Sequence, residues 1–530
     1  MGDIVFCSFY ILLFSFIILK TSLFKLPGLN NWYSLGAFYL KLLFGVALWY
    51  LYAYHYKNRY SSDIFKYFDD GKIIYKTFHT NFSDFVKMFT GIGDSDEHIQ
   101  KYYHSMVSWI NEHGSTFYNN SHLLIRLNTF FMFFSFGHYG VHVIFMCFIS
   151  LTGLTFLYKS FWHYVTDMPK SLFIAIFLFP SVLLWGSGIL KEGLVLFALG
   201  LCIYYSTRIK NKEGNLLFSA LTLALGMLLL FEVKAYVLLC ILPGFIAEYL
   251  IARTKFARNK PWLTYAIVIL TYMAIGFNLN LVSPKLNPLE MLADKQVDFL
   301  RTAKGGIYLT PLNDPSRAAL IQVDDSVFII PANAKADSLL KTTGVQYLTS
   351  SSFCYQEEQT GKIIPFKLKQ GLPFDLIHTA VYDTVHQIGN DSTLYRLDRY
   401  IEPAKSRISA TPFQPDLKGL LSYIPTALII SMLRPYPHEI HSAAVLIYFF
   451  ENVLMILLIA FAFAFRKRKN PNNHIVAFCI SYCIFMLVLI GITTPLYGGI
   501  ERYKSVVIPF MLILLLLIYD KEKFKRTLKG

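Results

Sequence analysis

The chain has 530 residues, of which 55% are hydrophobic and only 16% are charged, and its mean hydropathy is +0.44. Soluble domains carry roughly 25% charged residues, so this composition excludes an ordinary soluble enzyme. Apolar stretches long enough to cross a hydrocarbon core of about 30 Å recur along the chain. The sequence therefore predicts an α-helical polytopic membrane protein.

The formal net charge of +15 does not indicate nucleic-acid binding. The Lys and Arg residues stand in short runs beside apolar segments and not in a basic stripe with aromatic platforms. Cationic residues next to a membrane set the orientation of the protein in it, and they attract anionic lipid headgroups. Anionic lipid-linked molecules are therefore the expected partners. The seven Cys are few for this length, and we expect no structural disulfide.

Eleven apolar segments match membrane spans. The first has no basic segment before it and no small-residue cleavage site, so we expect a retained helix and not a signal peptide. The expected spans are 4–19, 32–52, 139–158, 171–187, 190–206, 215–232, 235–251, 262–282, 442–465, 474–492 and 504–519.

Short basic runs beside these spans predict the orientation of the chain. They alternate with the spans so that all of them can face the cytoplasm. The scheme requires an extracytoplasmic N-terminus, a cytoplasmic C-terminus and two large extracytoplasmic segments, 53–138 and 283–441. The basic runs are Lys20 with Lys25, 208–212, 253–260, 466–469 and 521–526.

Three regions follow from this scheme. Residues 1–282 form an N-terminal transmembrane bundle that includes the first outer loop, 283–417 an extracytoplasmic insertion, and 418–530 a C-terminal transmembrane segment. Alternating runs between turn residues predict a small mixed α/β fold for the insertion. These runs are 306–312, 319–331 and 362–368. The apolar stretches 122–136 and 419–433 are expected at the outer membrane interface, the first because it contains Arg126 and the second because it is short and contains Pro425.

Once the spans are oriented, the conspicuous charged motifs all fall at the outer membrane edge. A charge at the bilayer centre costs about 2.5 to 3.5 kcal/mol on insertion scales, so charges at helix ends should pair or line a wet cavity. In one interpretation, these charged residues are snorkelling anchors and helix-capping ion pairs. The other makes the cations ligands of a phosphate, through charge-assisted hydrogen bonds. The motifs after the first outer loop contain Lys191, Glu192, Lys234, Arg434, Glu501, Arg502 and Lys504.

The motif 60–71 in the first outer loop carries Asp63, Asp69 and Asp70. Asp63 and Asp70 are two helical turns apart, so they share one face of a helix lying beside the membrane. A carboxylate in this position can take the proton of a hydroxyl nucleophile. The alternative is a solvated acidic helix face with Asp63 as its N-cap.

The acidic motif, the segment 180–192 and the segment 501–510 resemble the polytopic glycosyltransferases of the GT-C class, which use polyprenyl-phosphate-linked sugars, and especially bacterial relatives that assemble cell-envelope polysaccharides. The resemblance implies that Asp63 is the catalytic base and that Asp69 or Asp70 assists it. It also implies that basic residues at later helix ends hold the lipid phosphate. These are Lys191, Lys234, Arg502 and Arg434, with Glu192, Glu501 and Lys504 in the same group of binding residues.

The expected function is transfer of a sugar from a polyprenyl-phosphate donor to a glycan, lipid or protein acceptor at the outer face of the cytoplasmic membrane. One alternative is a polysaccharide polymerase or ligase, such as an O-antigen polymerase, that uses an undecaprenyl-diphosphate-linked glycan. Another is a transporter or flippase without covalent chemistry, although no inverted repeat is visible. A divalent metal is the one cofactor left open.

Overall fold

The structure is a computed structural model of the whole chain. It describes residues 2–55, 59, 62–94, 96–109, 120–283, 286–304, 306–312, 321–324, 327–330, 346–348, 383–387, 394–401, 404, 406–408, 410–468 and 470–529. The predicted strand at 362–368 lies outside these residues.

Helices dominate the described chain. In the N-terminal part they are α1 (Gly2–Lys20), α2 (Asn31–Tyr50), α3 (Asp63–Thr80), α4 (Phe82–Thr90), α5 (Glu97–His104), α6 (His122–Ser135), α7 (Tyr139–Trp162), α8 (Pro169–Phe177), α9 (Pro180–Trp185), α10 (Lys191–Asn211), α11 (Leu216–Arg253), α12 (Lys255–Asn259), α13 (Pro261–Phe277) and α14 (Pro288–Lys304). In the C-terminal part they are α15 (Leu417–Met432), α16 (Ala443–Ala464), α17 (Asn473–Thr493), α18 (Tyr497–Lys504), α19 (Ile508–Ile518) and α20 (Lys521–Lys529).

Eight helices within the described residues are long and apolar enough to cross a membrane. They are α1, α2 with its continuation to Tyr54, α7, α10, α11, α13 with its continuation to Leu281, α16 and α17. The protein is thus a helical polytopic protein. Two of the eleven expected spans are shorter or broken. The segment 171–187 forms α8 and α9, because Phe179 before Pro180 is extended, and 504–519 contributes the shorter α19.

The 38-residue helix α11 contains two of the expected spans, 215–232 and 235–251, and reverses direction between them. Lys234 has non-helical backbone angles inside α11. Lys234 contacts Glu192 at the start of α10, whereas Glu248, later in α11, contacts Lys210 at the end of α10. Since α11 also begins beside the end of α10, its first half runs antiparallel to α10 and its second half runs parallel to it.

Helix contacts define two ends of the bundle. The site end holds Lys191, Lys234 and the starts of α1 and α7, which are joined by Asp3 and His138. The opposite end, called the basic end, holds the contact of Lys210 with Glu248 and the contacts that close the C-terminal region. These contacts are Arg466 with Tyr519, Lys521 with the carbonyl of Asp167, and Lys159 with the carbonyl of Ser22.

Close packing of α7 on α10 forms the centre of the bundle. A Cβ atom on Gly200 would lie 2.0 Å from the carbonyl oxygen of Gly153, so the two backbones approach each other as only glycines permit. Nearer the start of both helices, a Cβ on Gly193 would lie 3.6 Å from the side chain of Ser150. The two helices therefore run parallel, and the start of α10 is fixed beside the first half of α7.

Between α14 and α15, the described residues include six strands that form one sheet, in the order β2-β3-β5-β6-β1-β4 with antiparallel neighbours. The strands are β1 (Gly306–Leu312), β2 (Ile321–Asp324), β3 (Val327–Ile330), β4 (Gln346–Leu348), β5 (Asp383–Gln387) and β6 (Leu394–Ile401). The chain enters this region from α14, where Phe299 packs against Tyr503 of α18.

Candidate functional site

A cluster of four charged side chains, the ion cluster, lies at the site end and consists of Asp63, Glu192, Lys234 and Arg502. Arg502 Nη1 donates to Asp63 Oδ2 at 2.6 Å, and Arg502 Nε donates to Glu192 Oε1 at 2.7 Å. Lys234 Nζ donates to the same Glu192 oxygen at 2.6 Å. Residues from four separate parts of the chain therefore form one continuous network.

Each member of the ion cluster stands at a helix end or a helix break. Asp63 begins α3, and Glu192 is the second residue of α10, where the helix dipole favours a carboxylate. Lys234 marks the reversal within α11, and Arg502 lies on the short helix α18. The same breaks that end the apolar segments thus bring the charges together.

The cluster is buried on its bundle side, at Glu192 and Lys234, and is accessible to solvent at Asp63. The side chains of Glu192 and Lys234 are 0% and 4% exposed, whereas that of Asp63 is 33% exposed. Glu192 Oε2 is buried and has no hydrogen-bond partner among the described residues. The network therefore has one accessible carboxylate and one buried acceptor oxygen with capacity for another donor.

The charges of the cluster act strongly on Asp63. Burial alone would raise its pKa, but the neighbouring charges of Arg502 and Lys66, the hydrogen bond from Arg502 and the charge of Lys191 together hold the pKa of Asp63 well below its usual range. Arg502 in turn lies between the carboxylates of Asp63 and Glu192. Asp63 and Arg502 are both ionised at neutral pH.

Lys191 adjoins the ion cluster without joining its ion pairs. Its Nζ donates to Asn120 Oδ1 at 2.6 Å and to Ser121 Oγ at 3.2 Å, and lies 5.4 Å from the centre of the Tyr67 ring. Its charge is held by neutral oxygens and an aromatic face. Within the described chain Lys191 forms no salt bridge, so its charge is available to an anionic partner.

Aromatic rings cover the cationic side of the cluster. Lys234 Nζ lies 4.2 Å from the centre of the Tyr503 ring and 5.8 Å from that of Tyr236. The Tyr236 hydroxyl is buried without a hydrogen-bond partner within the described chain. Cation–π contacts of this kind stabilise a desolvated ammonium group and exclude water around it.

Asp69 and Asp70 do not join the ion cluster. Asp69 forms a bidentate salt bridge with Arg59, at 2.7 and 2.8 Å, and is more than one-third exposed. Asp70 is buried and accepts hydrogen bonds from the backbone N–H groups of Val107 and Ser108, at 2.9 and 2.7 Å. The shared helix face of Asp63 and Asp70 does not lead to shared partners, because the segment after α5 folds onto Asp70.

Glu501 and Lys504 form a second network on another side of α18. Lys504 Nζ donates to Glu501 Oε1 at 2.8 Å and to Asn452 Oδ1 at 2.5 Å. Arg434 lies apart from both networks and donates both guanidinium N–H groups to Glu439. Of the expected phosphate ligands, Lys191, Lys234 and Arg502 with Glu192 therefore lie together, whereas Arg434, Glu501 and Lys504 do not reach the ion cluster.

Sequence reasoning missed several polar residues. Glu451 and Asn452 lie inside the apolar helix α16, and Lys41 is buried inside α2, where it donates to the carbonyl of Gly186 at 3.0 Å. The signal was present, because an ionisable residue within an apolar span is costly and marks a polar interior. Asn120 carried no comparable signal, since it is recognised only through its contact with Lys191.

Among the described residues, no group of three or more His, Cys, Asp or Glu side chains is placed to hold a metal ion. No protein-family model, no curated protein and no solved structure matches the chain.

Proposed function

We propose that this protein is an integral membrane glycosyltransferase of the GT-C type. It transfers a sugar from a polyprenyl-phosphate donor to a glycan, lipid or protein acceptor. The observation that carries the proposal is the network in which Arg502 joins Asp63 to Glu192 and Lys234. It combines one accessible carboxylate with two cations, and a third cation, Lys191, lies beside it.

The proposed orientation follows from the two ends of the bundle. Basic residues near the basic end favour the cytoplasmic side, by the preference of Lys and Arg for that side. The site end would then be extracytoplasmic, together with the sheet region. With α11 as two crossings, and with α8–α9 and α18–α19 as one crossing each, the chain makes eleven crossings from an extracytoplasmic N-terminus to a cytoplasmic C-terminus.

The proposed reaction breaks the bond between the sugar C1 and the phosphate oxygen and forms a bond from C1 to the acceptor oxygen. The acceptor hydroxyl gives its proton to a base, and the lipid phosphate leaves with the bonding electrons. Arg502, Lys234 and Lys191 stabilise the negative charge that grows on the leaving phosphate. Arg502 is suited to this because its guanidinium can donate two parallel hydrogen bonds.

Asp63 is the proposed base, and donor binding controls its basicity. In the ion-paired state it is ionised but weakly basic, since Arg502 and the neighbouring cations depress its pKa. A donor phosphate that takes over Arg502 weakens this pairing, so the pKa of Asp63 rises toward the range where a general base is effective. Proton removal then follows donor binding.

The test is transfer from a synthetic polyprenyl-phosphate sugar by the purified protein, with the folded fraction of each variant measured. Arg502→Ala and Asp63→Asn should each lower turnover by about 10² to 10³, the usual effect of removing a preorganised electrostatic partner. The matched controls are Arg253→Ala, an exposed arginine at the basic end, and Asp96→Asn, which removes the exposed ion pair with Lys87. Full activity of folded Arg502→Ala and Asp63→Asn would overturn the proposal.

A donor comparison separates this function from its nearest alternative. Activity with a monophosphate-linked sugar and not with a diphosphate-linked glycan supports the proposed function, and the reverse indicates a polymerase or ligase. Transmembrane movement of a lipid-linked sugar, without any transfer and unaffected by Asp63→Asn, would indicate a flippase.

A further inference from the structure

The network around Glu501 contains more negative than positive charge. Glu451 of α16 and Glu501 of α18 are 6% and 1% exposed, and their charges are close enough to interact. Among the described residues, the cation that faces them is Lys504, which contacts Glu501 directly and whose charge also acts on Glu451. With both carboxylates ionised, the buried site carries one uncompensated negative charge.

Both carboxylates also have unused acceptor capacity. Glu451 Oε2 accepts a hydrogen bond from the backbone N–H of Ser181 at 3.1 Å, and Glu501 Oε1 accepts from Lys504. Their other oxygens, Glu451 Oε1 and Glu501 Oε2, are buried without a hydrogen-bond partner in the described part of the chain. A buried carboxylate oxygen without a donor is costly unless a proton or a cation occupies the site.

The surroundings supply no further charge. Glu451, Asn452 and Lys504 line a cavity whose other walls are apolar or aromatic side chains from five segments. These are Phe179, Met432, Met455, Ile456, Ile459, Leu487, Ile508 and Met511. Among the described residues, the charged groups that act on Glu451 and Glu501 are each other and Lys504. A ligand must therefore supply the missing positive charge.

We propose that Glu451 and Glu501 form a binding site for a single monovalent cation, a proton or Na⁺, in the interior of the bundle. The site is separate from the ion cluster, although α18 carries residues of both. Ligand binding brings the net charge of Glu451, Glu501 and Lys504 to zero and so stabilises the contacts of α9 and α16 with α18.

The experiment measures thermal unfolding of the purified full-length protein in lipid nanodiscs, from pH 6 to pH 9, in choline chloride and in NaCl of equal ionic strength. A group that binds its cation more tightly in the folded state loses stability as pH rises through its folded pKa. The wild-type unfolding temperature should thus fall by several degrees toward pH 9 in choline. A fall that is equal in NaCl identifies a proton, and recovery in NaCl identifies Na⁺.

Glu451→Gln and Glu501→Gln test the site itself. Either change leaves one carboxylate opposite Lys504, so both variants should lose the response to pH and to Na⁺ relative to wild type, and Glu451→Gln should exceed wild type in stability at pH 9. Two variants are used so that one can report if the other fails to fold. Glu213→Gln, at an exposed loop of the basic end, is the matched control and should respond as wild type does. The proposal is overturned if the glutamine variants and the wild type respond to pH and to Na⁺ alike. Because the readout is unfolding, this result does not depend on transfer activity.

Discussion

Glu192 and Glu248 occupy comparable positions at opposite ends of the pair α10 and α11, yet their surroundings differ. Both accept from a lysine across the helix pair, Lys234 at the site end and Lys210 at the basic end. At the basic end both oxygens of Glu248 are occupied, since Tyr265 donates at 3.1 Å and His474 Nδ1 lies at 3.0 Å. At the site end Glu192 Oε2 is left without a partner among the described residues.

The difference separates a closed structural contact from a network with spare capacity. The Glu248 network joins four helices, α10, α11, α13 and α17, and every strong acceptor in it is used. The ion cluster also joins helices, but within the described residues Glu192 Oε2 has no hydrogen-bond partner and the carboxylate of Asp63 is accessible. Beside it lies Lys191, a cation whose polar contacts in the described chain include the neutral side chain of Asn120. A network built only for stability has no reason to retain such capacity. The comparison therefore supports the proposal that the site end binds a ligand, whereas the Glu248 network serves stability.

The largest expected loss of stability follows from Lys234→Ala. This change leaves Glu192 buried with one cation fewer, and breaking a buried pair costs about 3 to 5 kcal/mol. The unfolding temperature should fall markedly. The double variant Lys234→Met with Glu192→Gln should recover most of that stability, because no charge is then stranded, and yet should remain inactive in transfer. Recovery of activity together with stability would show that the ion cluster is structural and would remove the contrast with Glu248.

Glu248→Gln is the corresponding change at the basic end. It removes the carboxylate charge and one of the two acceptor oxygens that Lys210 and His474 share, but both side chains are partly exposed, at 21% and 26%, so water compensates in part. We expect a loss of about 2 to 3 kcal/mol in the free energy of unfolding. Turnover per folded molecule should stay within about twofold of wild type, as expected where no transition-state contact is lost. A large drop in turnover at unchanged folded fraction would contradict the assignment of this end to stability.

Asp70→Asn tests an outer-loop contact beside the site. An asparagine offers one acceptor oxygen where Asp70 offers two to the N–H groups of Val107 and Ser108, so a loss of about 1 to 2 kcal/mol is expected. Burial raises the pKa of Asp70 to about 6, although the two backbone hydrogen bonds oppose this shift. A raised carboxyl pKa means that the folded state holds a proton which the unfolded state releases. The stability of wild type relative to Asp70→Asn should therefore fall as pH rises through about 6, and unfolding curves at pH 5 and pH 7 measure it. A difference that grows with pH would refute this account.

The sequence predicts the charged helix ends of the site better than it predicts the contacts of Asp69 and Asp70. Lys191, Glu192, Lys234 and Arg502 were recognisable because a charge at the end of an apolar helix must find a partner, and the alternation of spans places these ends on one side. The roles of Asp69 and Asp70 were not recognisable from helical spacing. Their partners, Arg59 and the N–H groups of Val107 and Ser108, come from irregular segments whose folding leaves no periodic pattern.

The helix count shows the same limit. Hydropathy identified α1, α2, α7, α10, α13, α16 and α17 within a few residues, since burial in lipid requires long apolar helices. Hydropathy averaged over a window does not show the break at Pro180, where Phe179 is extended, or the short length of α19. A reversal near Lys234 was expected because the predicted spans 215–232 and 235–251 meet there. The backbone of Lys234 and its contact with Glu192 provide the geometry that hydropathy lacks.

The smallest effect on stability is expected for Asp69→Asn, and it sharpens the comparison within α3 itself. Asp69 and Arg59 are 37% and 52% exposed, and a salt bridge in such surroundings contributes less than about 1 kcal/mol. Arg59 also lies 4.5 Å from the centre of the Phe65 ring, and this contact survives the substitution. Asp69→Asn should thus unfold within about 2 °C of wild type, because a fraction of a kcal/mol moves the midpoint of a large domain little. Its transfer activity, measured beside Asp63→Asn, decides whether Asp69 assists the base: near-complete loss at unchanged stability would make Asp69 part of the site and would extend the functional region from the ion cluster along the exposed face of α3.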